Sequence, residues 1–556
     1  MPSTHQVFAS FRREIAHAVQ WPNKRNRNET EPPEGEVDIF IPVTDIEALT
    51  SRIMEVLKNS CRGDLLARIH DTNTPVKKIF LILGLAEMLD VAEKFISGQF
   101  SDHHLPITTS ELDDRRVAKS RQGDELFQNS NLDHSELGWF KVQQRKFLSP
   151  VFENKFEFHL LPRIPLPLIE KDKRTRSGFS VVYKVKVHPA HIPRGLAGDL
   201  AMKELSLKDE EDAECLKREM KNLESLRELN HIHLIESVAV CVRGELAFFF
   251  FPWAEKGDLY NFWEKTDPES YKDIVVPWML GQMVGLSSAL ELLADKNCRH
   301  SDLKPQNILL FPGGNSIGTL KITDVGISKF HILATTRRLK PTSAKDVTMR
   351  YCPPEFDESK PGKVKDNLEG SREQKLSRRF DIWSLGCVFI EFLIWAKLGQ
   401  NEYLIFDEAM GGSQKFWDRK SLTTADGSDS ESSDTSEYHY SLRRRVQKRL
   451  KQLKCLEPTP DDMAIGDVLK LVEKDMLVFD YRGRLAASGV HSRLKEIQNR
   501  NDLLRGQQPS STDNTTTRGV DIDVVQSFGS SERLTTTAVP RDNAAAQIYV
   551  SGNNGL

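Results

Sequence analysis

Cysteine is scarce in this chain, and its spacing rules out cross-linking roles. The seven cysteines stand at 61, 215, 241, 298, 352, 387 and 455, with no C-x-x-C pair and no framework spacing. Neither a disulfide scaffold nor a zinc site is indicated, and reduced thiols in a cytoplasmic or nuclear setting are the simplest reading. A surplus of either charge is also missing: 77 Lys and Arg face 80 Asp and Glu, a formal net charge of −3. That balance gives no overall pull towards nucleic acid or an anionic membrane, and neither is expected as a partner. Long apolar runs are absent too. The greasiest stretches, Ile79 to Leu89 and Val388 to Trp395, are too short to span a bilayer, and the first residues lack a charged-then-apolar signal pattern. What is present is a 556-residue chain, 39% hydrophobic, long enough for two or more ordinary soluble domains.

The most informative stretch is His300-Ser301-Asp302-Leu303-Lys304-Pro305-Gln306-Asn307, followed by the apolar run Ile308 to Phe311, the turn signals Pro312-Gly313-Gly314-Asn315, and a second run ending in Thr323-Asp324-Val325-Gly326. This reads as a β-hairpin that holds Asp302, Asn307 and Asp324 at one mouth. A carboxylate, a lysine, an amide and a second carboxylate in that order are a phosphoryl-transfer layout.

The stretch resembles the catalytic and metal-binding loops of eukaryotic protein kinases, whose patterns are H-R-D-x-K-x-x-N and D-F-G. The resemblance implies that Asp302 orients the attacking hydroxyl, Lys304 neutralises phosphate charge, and Asn307 with Asp324 holds Mg²⁺. The resemblance continues in order over roughly residues 160 to 500. Thr175 to Lys184 is similar to the second half of the kinase glycine-rich loop, with Ser177 and Gly178 near the phosphates and Thr175, Ser177 and Ser180 in place of the three glycines. Leu200-Ala201-Met202-Lys203 looks like the V-A-I-K strand and assigns Lys203 to the α- and β-phosphates of ATP. Glu219 shares a helical stripe with Leu216, Leu223 and Leu226, and the resemblance makes it the partner of Lys203, with Glu224 as the fallback. Phe248 to Leu259 reads as a buried strand leaving into the interlobe linker. The resemblance places Phe251 behind the adenine, the Pro252 carbonyl and Ala254 N–H at its edge, and Val182, Ala201 and Leu309 on its faces. Thr348 and Glu355 match the end of an activation segment, Asp381 the residue that fixes the catalytic loop, and Arg484 the partner of Glu355.

These matches imply an α+β, bilobal kinase fold, with a β-rich N-lobe at 160–255 and a mainly α C-lobe at 256–500. The function they imply is a Ser/Thr protein kinase using Mg-ATP, with Asp302 and Lys304 catalytic. Two departures bear on activity. Ser301 replaces the arginine of H-R-D, and Val325 replaces the phenylalanine of D-F-G, which shrinks a side chain expected against the helix bearing Glu219. Together with the glycine-poor loop they favour the alternative, a pseudokinase acting as a nucleotide-binding scaffold. A small-molecule kinase is the third reading, disfavoured by the peptide-shelf form of Thr348 to Glu355.

The flanks carry pattern but no chemistry. Residues 1–150 read as a small helical module, docking or regulatory, for which a protein partner is expected. Its stripes are Val7, Phe8, Phe11 and Ile15, then a capping-box-like Thr44-Asp45-Ile46-Glu47 opening a run to Leu57, then a third helix from Val76 to about Ser97. His103 and His104 lack further ligands and read as loop. In general pattern the module is similar to the N-terminal extension of kinase-like proteins of filamentous fungi. Ala425 to Glu437, within an insertion near 420–440, holds five acids and five serines with no base, and is expected to be disordered, as is the Ser/Thr/Asn/Gln-rich tail at 506–556. Between them, Arg443 to Lys454 reads as a basic helix face exposed to solvent, with a site for an acidic partner as the alternative.

Overall fold

The computed structural model of the protein describes residues 12–24, 38–58, 69, 75–85, 88, 100–109, 118–119, 125–126, 134–153, 155–176, 180–194, 196, 198–207, 210–313, 317–325, 349–356, 378–411, 414–421, 438–454 and 459–506. The N-terminal module contains the helices α1 (Val43–Lys58), α2 (Lys77–Leu85) and α3 (His134–Gln144), around a core that includes Ile15, Trp21, Ile41, Phe80 and Phe140. It is not purely helical, because three two-residue strands at 108–109, 118–119 and 125–126 form a small sheet. The expected capping box is displaced. Helix α1 begins at Val43, so Thr44 is already inside the first turn, and the Pro42 carbonyl accepts from the Asp45 and Ile46 N–H groups. Asp102, beside the paired histidines, caps α2 by accepting from the Lys78 and Ile79 N–H groups at 3.0 Å each.

The upper lobe is one sheet of β1 (Glu157–Leu160), β2 (Leu168–Arg176), β3 (Ser180–Val187), β4 (Leu200–Ser206), β5 (Ala239–Arg243) and β6 (Leu246–Pro252), in spatial order β1-β5-β6-β4-β3-β2. The edge strand β1 pairs in parallel with β5, and every other pairing is antiparallel. The lobe therefore starts a few residues before 160. Side chains alternate across a strand, so the phenylalanine run of β6 serves two cores. Phe248 and Phe250 pack with Leu200, Met202 and Val185 on one face. On the other, Phe249 and Phe251 pack with Leu205 and with Leu216, Met220 and Leu223 of helix α4 (Glu210–Arg227). Burial on both faces is what a continuous apolar strand calls for, at roughly 1.5–3 kcal/mol per large side chain.

The module is fastened to the outer part of this sheet. Asp38, 2% exposed, accepts from Arg243 Nη1 at 2.6 Å and from the Leu166 N–H at 2.9 Å. The Asn23 N–H donates to the Ile169 carbonyl at 2.8 Å. His191 completes the joint: its Nδ1 lies 2.8 Å from the Pro150 carbonyl, which only accepts, while its Nε2 accepts from the Val43 N–H at 3.1 Å. Both ring nitrogens are thereby committed to the uncharged imidazole.

The lower lobe holds α5 (Leu259–Lys265), α6 (Val275–Asp295), the hairpin of β7 (Ile308–Phe311) with β8 (Thr319–Ile322), then α7 (Arg379–Leu393), α8 (Gln400–Met410), a second hairpin of β9 (Trp417–Ser421) with β10 (Tyr438–Leu442), and α9 (Arg444–Lys454), α10 (Pro460–Leu471) and α11 (Ala487–Gly506). Every residue from Phe380 to Leu393 is buried, as expected of a helix apolar all round and placed at a core centre. The acidic stretch Ala425 to Glu437 and the tail lie outside the described residues, but strands bracket the insertion, with Ser421 opposite Tyr438. In α6, a Cβ on Gly285 would sit 1.9 Å from His233 Nε2. His233 is itself held by a 2.7 Å bond from Nδ1 to the Leu320 carbonyl.

Two outcomes follow from these contacts. Gly285→Ala should lower unfolding stability in urea by roughly 1–3 kcal/mol, because the buried, hydrogen-bonded His233 has nowhere to move. Burial lowers the pKa of His191 and of His233 from 6.5 to about 4. The unfolded chain therefore takes up these protons first, so stability falls as pH drops from 6.5 towards 4. Between pH 7 and pH 5 each histidine should account for about 2 kcal/mol, read as a shift of the urea midpoint.

Candidate active site

The floor of the cleft hangs from α7. Asp381, 5% exposed, accepts from the His300 N–H at 2.9 Å and the Ser301 N–H at 2.8 Å. Burial raises its pKa, and His300 and the two N–H groups act against that rise. The chain then turns through Ser301 at φ 63°, a left-handed conformation that a non-glycine residue adopts only when its surroundings hold it there. His300 Nε2 lies 2.7 Å from the Thr323 carbonyl, so it carries the proton, and Nδ1 accepts from the Asp302 N–H at 3.3 Å. The Thr323 N–H donates to the Asn307 carbonyl at 2.9 Å. Asp324 follows at φ 60°, a second left-handed bend beside the first.

These bonds gather the polar groups. Asp302 Oδ2 accepts from Lys304 Nζ at 2.8 Å and from Asn307 Nδ2 at 3.2 Å. From above, Lys203 Nζ reaches Asp324 Oδ2 at 2.9 Å, with the Lys203 side chain only 8% exposed. The contacts form two groups, Lys203 with Asp324 and Lys304 with Asp302 and Asn307, which the Thr323 N–H to Asn307 carbonyl bond ties together through the backbone. The expected partner of Lys203, Glu219, belongs to α4, but its side chain lies outside the described residues. Glu224, the fallback, is exposed and is not a partner. Val325 packs in the lower-lobe core with Leu303 and Ile322 rather than in the cluster that holds the buried side chains of α4.

The strand register builds the ceiling. Val182 stands opposite Lys203, and Ala201 opposite Phe251. Residues directly opposite share a face, so Val182, Ala201 and Phe251 lie on the same side of the sheet as the lysine. The Trp253 N–H donates to the Asp199 carbonyl at 3.1 Å, which makes Pro252 a non-hydrogen-bonded position of the ladder and turns its carbonyl away from β4. Ala254 is 8% exposed, and among the described residues its N–H meets no acceptor. Gly257, at φ 74°, lets the linker turn, and its carbonyl accepts from the Leu310 N–H at 2.9 Å. That bond, with the bridge between Asp258 and Leu309, sets Leu309 beneath the linker. Ser177 and Gly178 lie outside the described residues.

Beside the floor is a shelf. Arg484, 1% exposed, donates to both Glu355 oxygens at 2.6 Å and to the Val478 carbonyl at 2.7 Å. Thr348 lies outside the described residues, but Arg350 is buried between Glu391 and Asp407, each 2.6 Å away, and the Tyr351 hydroxyl donates to Glu391 at 2.9 Å. Burial pushes the Glu391 carboxyl up to about 7, against the pull of Arg350. Sequence reasoning missed this network. Its one legible sign was Glu391, a lone acid in an apolar run, which costs too much to bury without a partner.

The profile of the protein kinase domain family matches residues 178–461, just over half of the chain. The chain belongs to the protein kinase family. Cyclin-dependent kinase 8 of Drosophila melanogaster is 29% identical to it over 177 residues, covering 30% of this chain and 35% of that one. Serine/threonine-protein kinase 16 of Homo sapiens is 27% identical over 225 residues, 39% of this chain and 66% of that one. Serine/threonine-protein kinase atg1 of Schizosaccharomyces pombe is 23% identical over 262 residues, 41% and 28%. The chain spans less than two thirds of the length of each.

The residues of this cleft fit ATP and Mg²⁺, which the protein kinase family generally uses. The unanswered Ala254 N–H and the outward Pro252 carbonyl suit the edge of an adenine. Lys203 suits phosphate, and Asp324 with Asn307 would hold the metal. Among the described residues no cluster of three His, Cys, Asp or Glu forms a metal cage, and Mg²⁺ does not need one, since one or two carboxylates suffice when phosphates complete its shell. Removing the acid of the buried pair, in Glu355→Ala, should lower stability by roughly 3–5 kcal/mol in chemical denaturation, because Arg484 would keep its charge without a counterion.

Proposed function

We propose that the protein is a Ser/Thr protein kinase transferring the γ-phosphoryl group of Mg-ATP to protein hydroxyl groups. The observation that carries this reading is that Lys203 with Asp324, and Lys304 and Asn307 with Asp302, stand on two loops that the Thr323 to Asn307 backbone bond holds side by side. Bound Mg-ATP supplies the phosphoryl group and spreads its charge over the metal. Asp302 orients the acceptor hydroxyl and takes its proton, and Lys304 neutralises charge on the oxygens in flight. Lys203 fixes the phosphates from above, so both reactants are held in one geometry, the main source of rate in such reactions. The shelf from Arg350 to Glu355, tied down by Glu391, Asp407 and Arg484, supports a polypeptide acceptor. A cytoplasmic or nuclear setting goes with the free cysteines at 241, 298, 352 and 387.

The second reading, a nucleotide-binding scaffold, is favoured by Ser301 and by the way Asn307 and Lys304 already satisfy Asp302. The two readings separate on Asp302→Asn. The kinase reading expects phosphoryl transfer to a mixed peptide set to fall by roughly 10²–10⁴-fold, with the fold and ATP affinity kept. A wild-type protein that binds Mg-ATP yet transfers phosphate to no peptide and not to itself makes it the scaffold.

A further inference from the structure

Helix α9 carries charge that its own stability does not explain. Of the eleven residues Arg444–Lys454, six are Arg or Lys and none is acidic, although the whole chain is slightly acidic. Two of the six have partners: Arg449 pairs with Glu402, and Lys454 lies 2.6 Å from Glu473. Arg444, Arg445, Lys448 and Lys451 are exposed and make no ion pair or hydrogen bond among the described residues. At 100° per residue these four fall on the face opposite buried Val446, Leu450 and Leu453. Two features of the placement oppose helix stability. Arg444 and Arg445 occupy the first turn, where the helix dipole already presents positive charge. Lys448 stands one turn from both Arg444 and Lys451, like charge against like. A face that serves only to meet water would mix signs, as an exposed helix usually does.

The location gives the face a use. Helix α9 starts at the base of the β9–β10 hairpin, where the Arg443 N–H donates to the Phe416 carbonyl at 2.9 Å. The hairpin packs on the shelf: Trp417 Nε1 donates to the Cys352 carbonyl at 2.8 Å, and the Phe416 ring lies 6.1 Å from that of Tyr351. Lys420, exposed on β9, extends the positive charge along the hairpin. We infer that the exposed face of α9 docks an acidic segment of the protein substrate, flanking the serine or threonine to be phosphorylated. This inference rests on the kinase reading of the cleft. The occupant is fixed by charge complementarity. From Arg444 to Lys451 the helix rises about 10 Å, the span of roughly three extended residues, so alternating carboxylates of a strand-like acidic segment can meet successive cations. Such a surface acts mainly through encounter and specificity, and weakens with salt.

The test uses the full chain and a fluorescent twelve-residue peptide with one central serine flanked by Asp and Glu. Its control replaces every acid by Asn or Gln. Anisotropy titrations compare wild type with a variant carrying Arg444→Gln, Arg445→Gln, Lys448→Gln and Lys451→Gln, exposed substitutions for which an equal or raised urea midpoint certifies the fold. The expected result is on the order of a tenfold loss of affinity for the acidic peptide, with a flatter salt dependence. Asp302→Asn should bind as wild type does, and the neutral peptide should not distinguish wild type from the variant. Equal affinity of wild type and variant overturns the inference. So does a single-stranded oligonucleotide that binds wild type as tightly as the acidic peptide and loses as much in the variant. Phosphoryl transfer measured alongside separates the two levels. A tenfold rise in KM at constant kcat for the acidic peptide supports both, and transfer with unchanged KM defeats the docking surface alone. Charge-dependent binding without any transfer defeats the kinase reading and leaves the acidic-partner surface standing.

Discussion

Asp381 lies in the first turn of α7, and both of its carboxylate oxygens are taken up by backbone N–H groups of the loop above. A carboxylate in that position costs several kcal/mol to desolvate, and it is tolerable only because the two N–H groups and the positive end of a buried helix receive it. The bargain constrains the backbone. With the His300 and Ser301 N–H groups both turned inward, the chain leaves by the left-handed bend at Ser301. That bend carries Asp302 to the cleft side. His300 then reaches the Thr323 carbonyl, and Thr323 reaches the Asn307 carbonyl, so the bend at Asp324 is positioned through the same buried helix. The loops at 300–307 and 323–324 are one hydrogen-bonded body with its anchor in the core.

The upper lobe meets that body along two kinds of connection. Backbone bonds run from the Ile322 N–H to the His233 carbonyl, and from the Ile235 N–H to the Ile322 carbonyl, so the chain just after α4 is stitched to β8. The Leu310 N–H holds the linker through Gly257. Lys203 is different in kind, since it arrives from the middle of the sheet and meets the floor by a charged side-chain contact at Asp324. Backbone ladders resist displacement, whereas a single long side chain can follow a rotation of the sheet. The distance from Lys203 to Asp324 is therefore the coordinate on which opening and closing of the lobes would register.

The cleft was largely legible in the sequence because its chemistry is local. His300 to Asp324 is one loop and one hairpin, and the spacing of Asp302, Lys304, Asn307 and Asp324 survives without knowledge of any distant contact. Lys203, Asp381 and Arg484 came from resemblance, and the structure places each against a neighbour far away in the chain. What stayed illegible shares a different property. Asp38 with Arg243, and Arg350 with Glu391 and Asp407, are pairs that chain periodicity cannot bring together, because each partner sits on its own element with an ordinary local pattern. The displaced start of α1 is a smaller case: a Ser/Thr-x-x-Glu pattern marks a helix start only when the preceding residue is not already helical, and Val43 is. The hairpin that brackets the acidic insertion was hidden because Trp417 and Tyr440 are separated by a long stretch of another composition.

The two substitutions in the family motifs look different once the surroundings are known. Ser301 removes a guanidinium from the catalytic loop, but the backbone job at that position, donating to Asp381, needs no side chain at all. Val325 is buried at 6% in the lower-lobe core, a cluster against which Leu226 of α4 also packs. Meanwhile the end of the segment that begins after Val325 is fixed from within, by Arg350 against two carboxylates and by Glu355 against Arg484. Neither anchor uses position 301. With Ser301 the N–H bond to Asp381 is kept, and the ion pairs at Arg350 and Glu355 stand without it, so these contacts survive the departures from the motif.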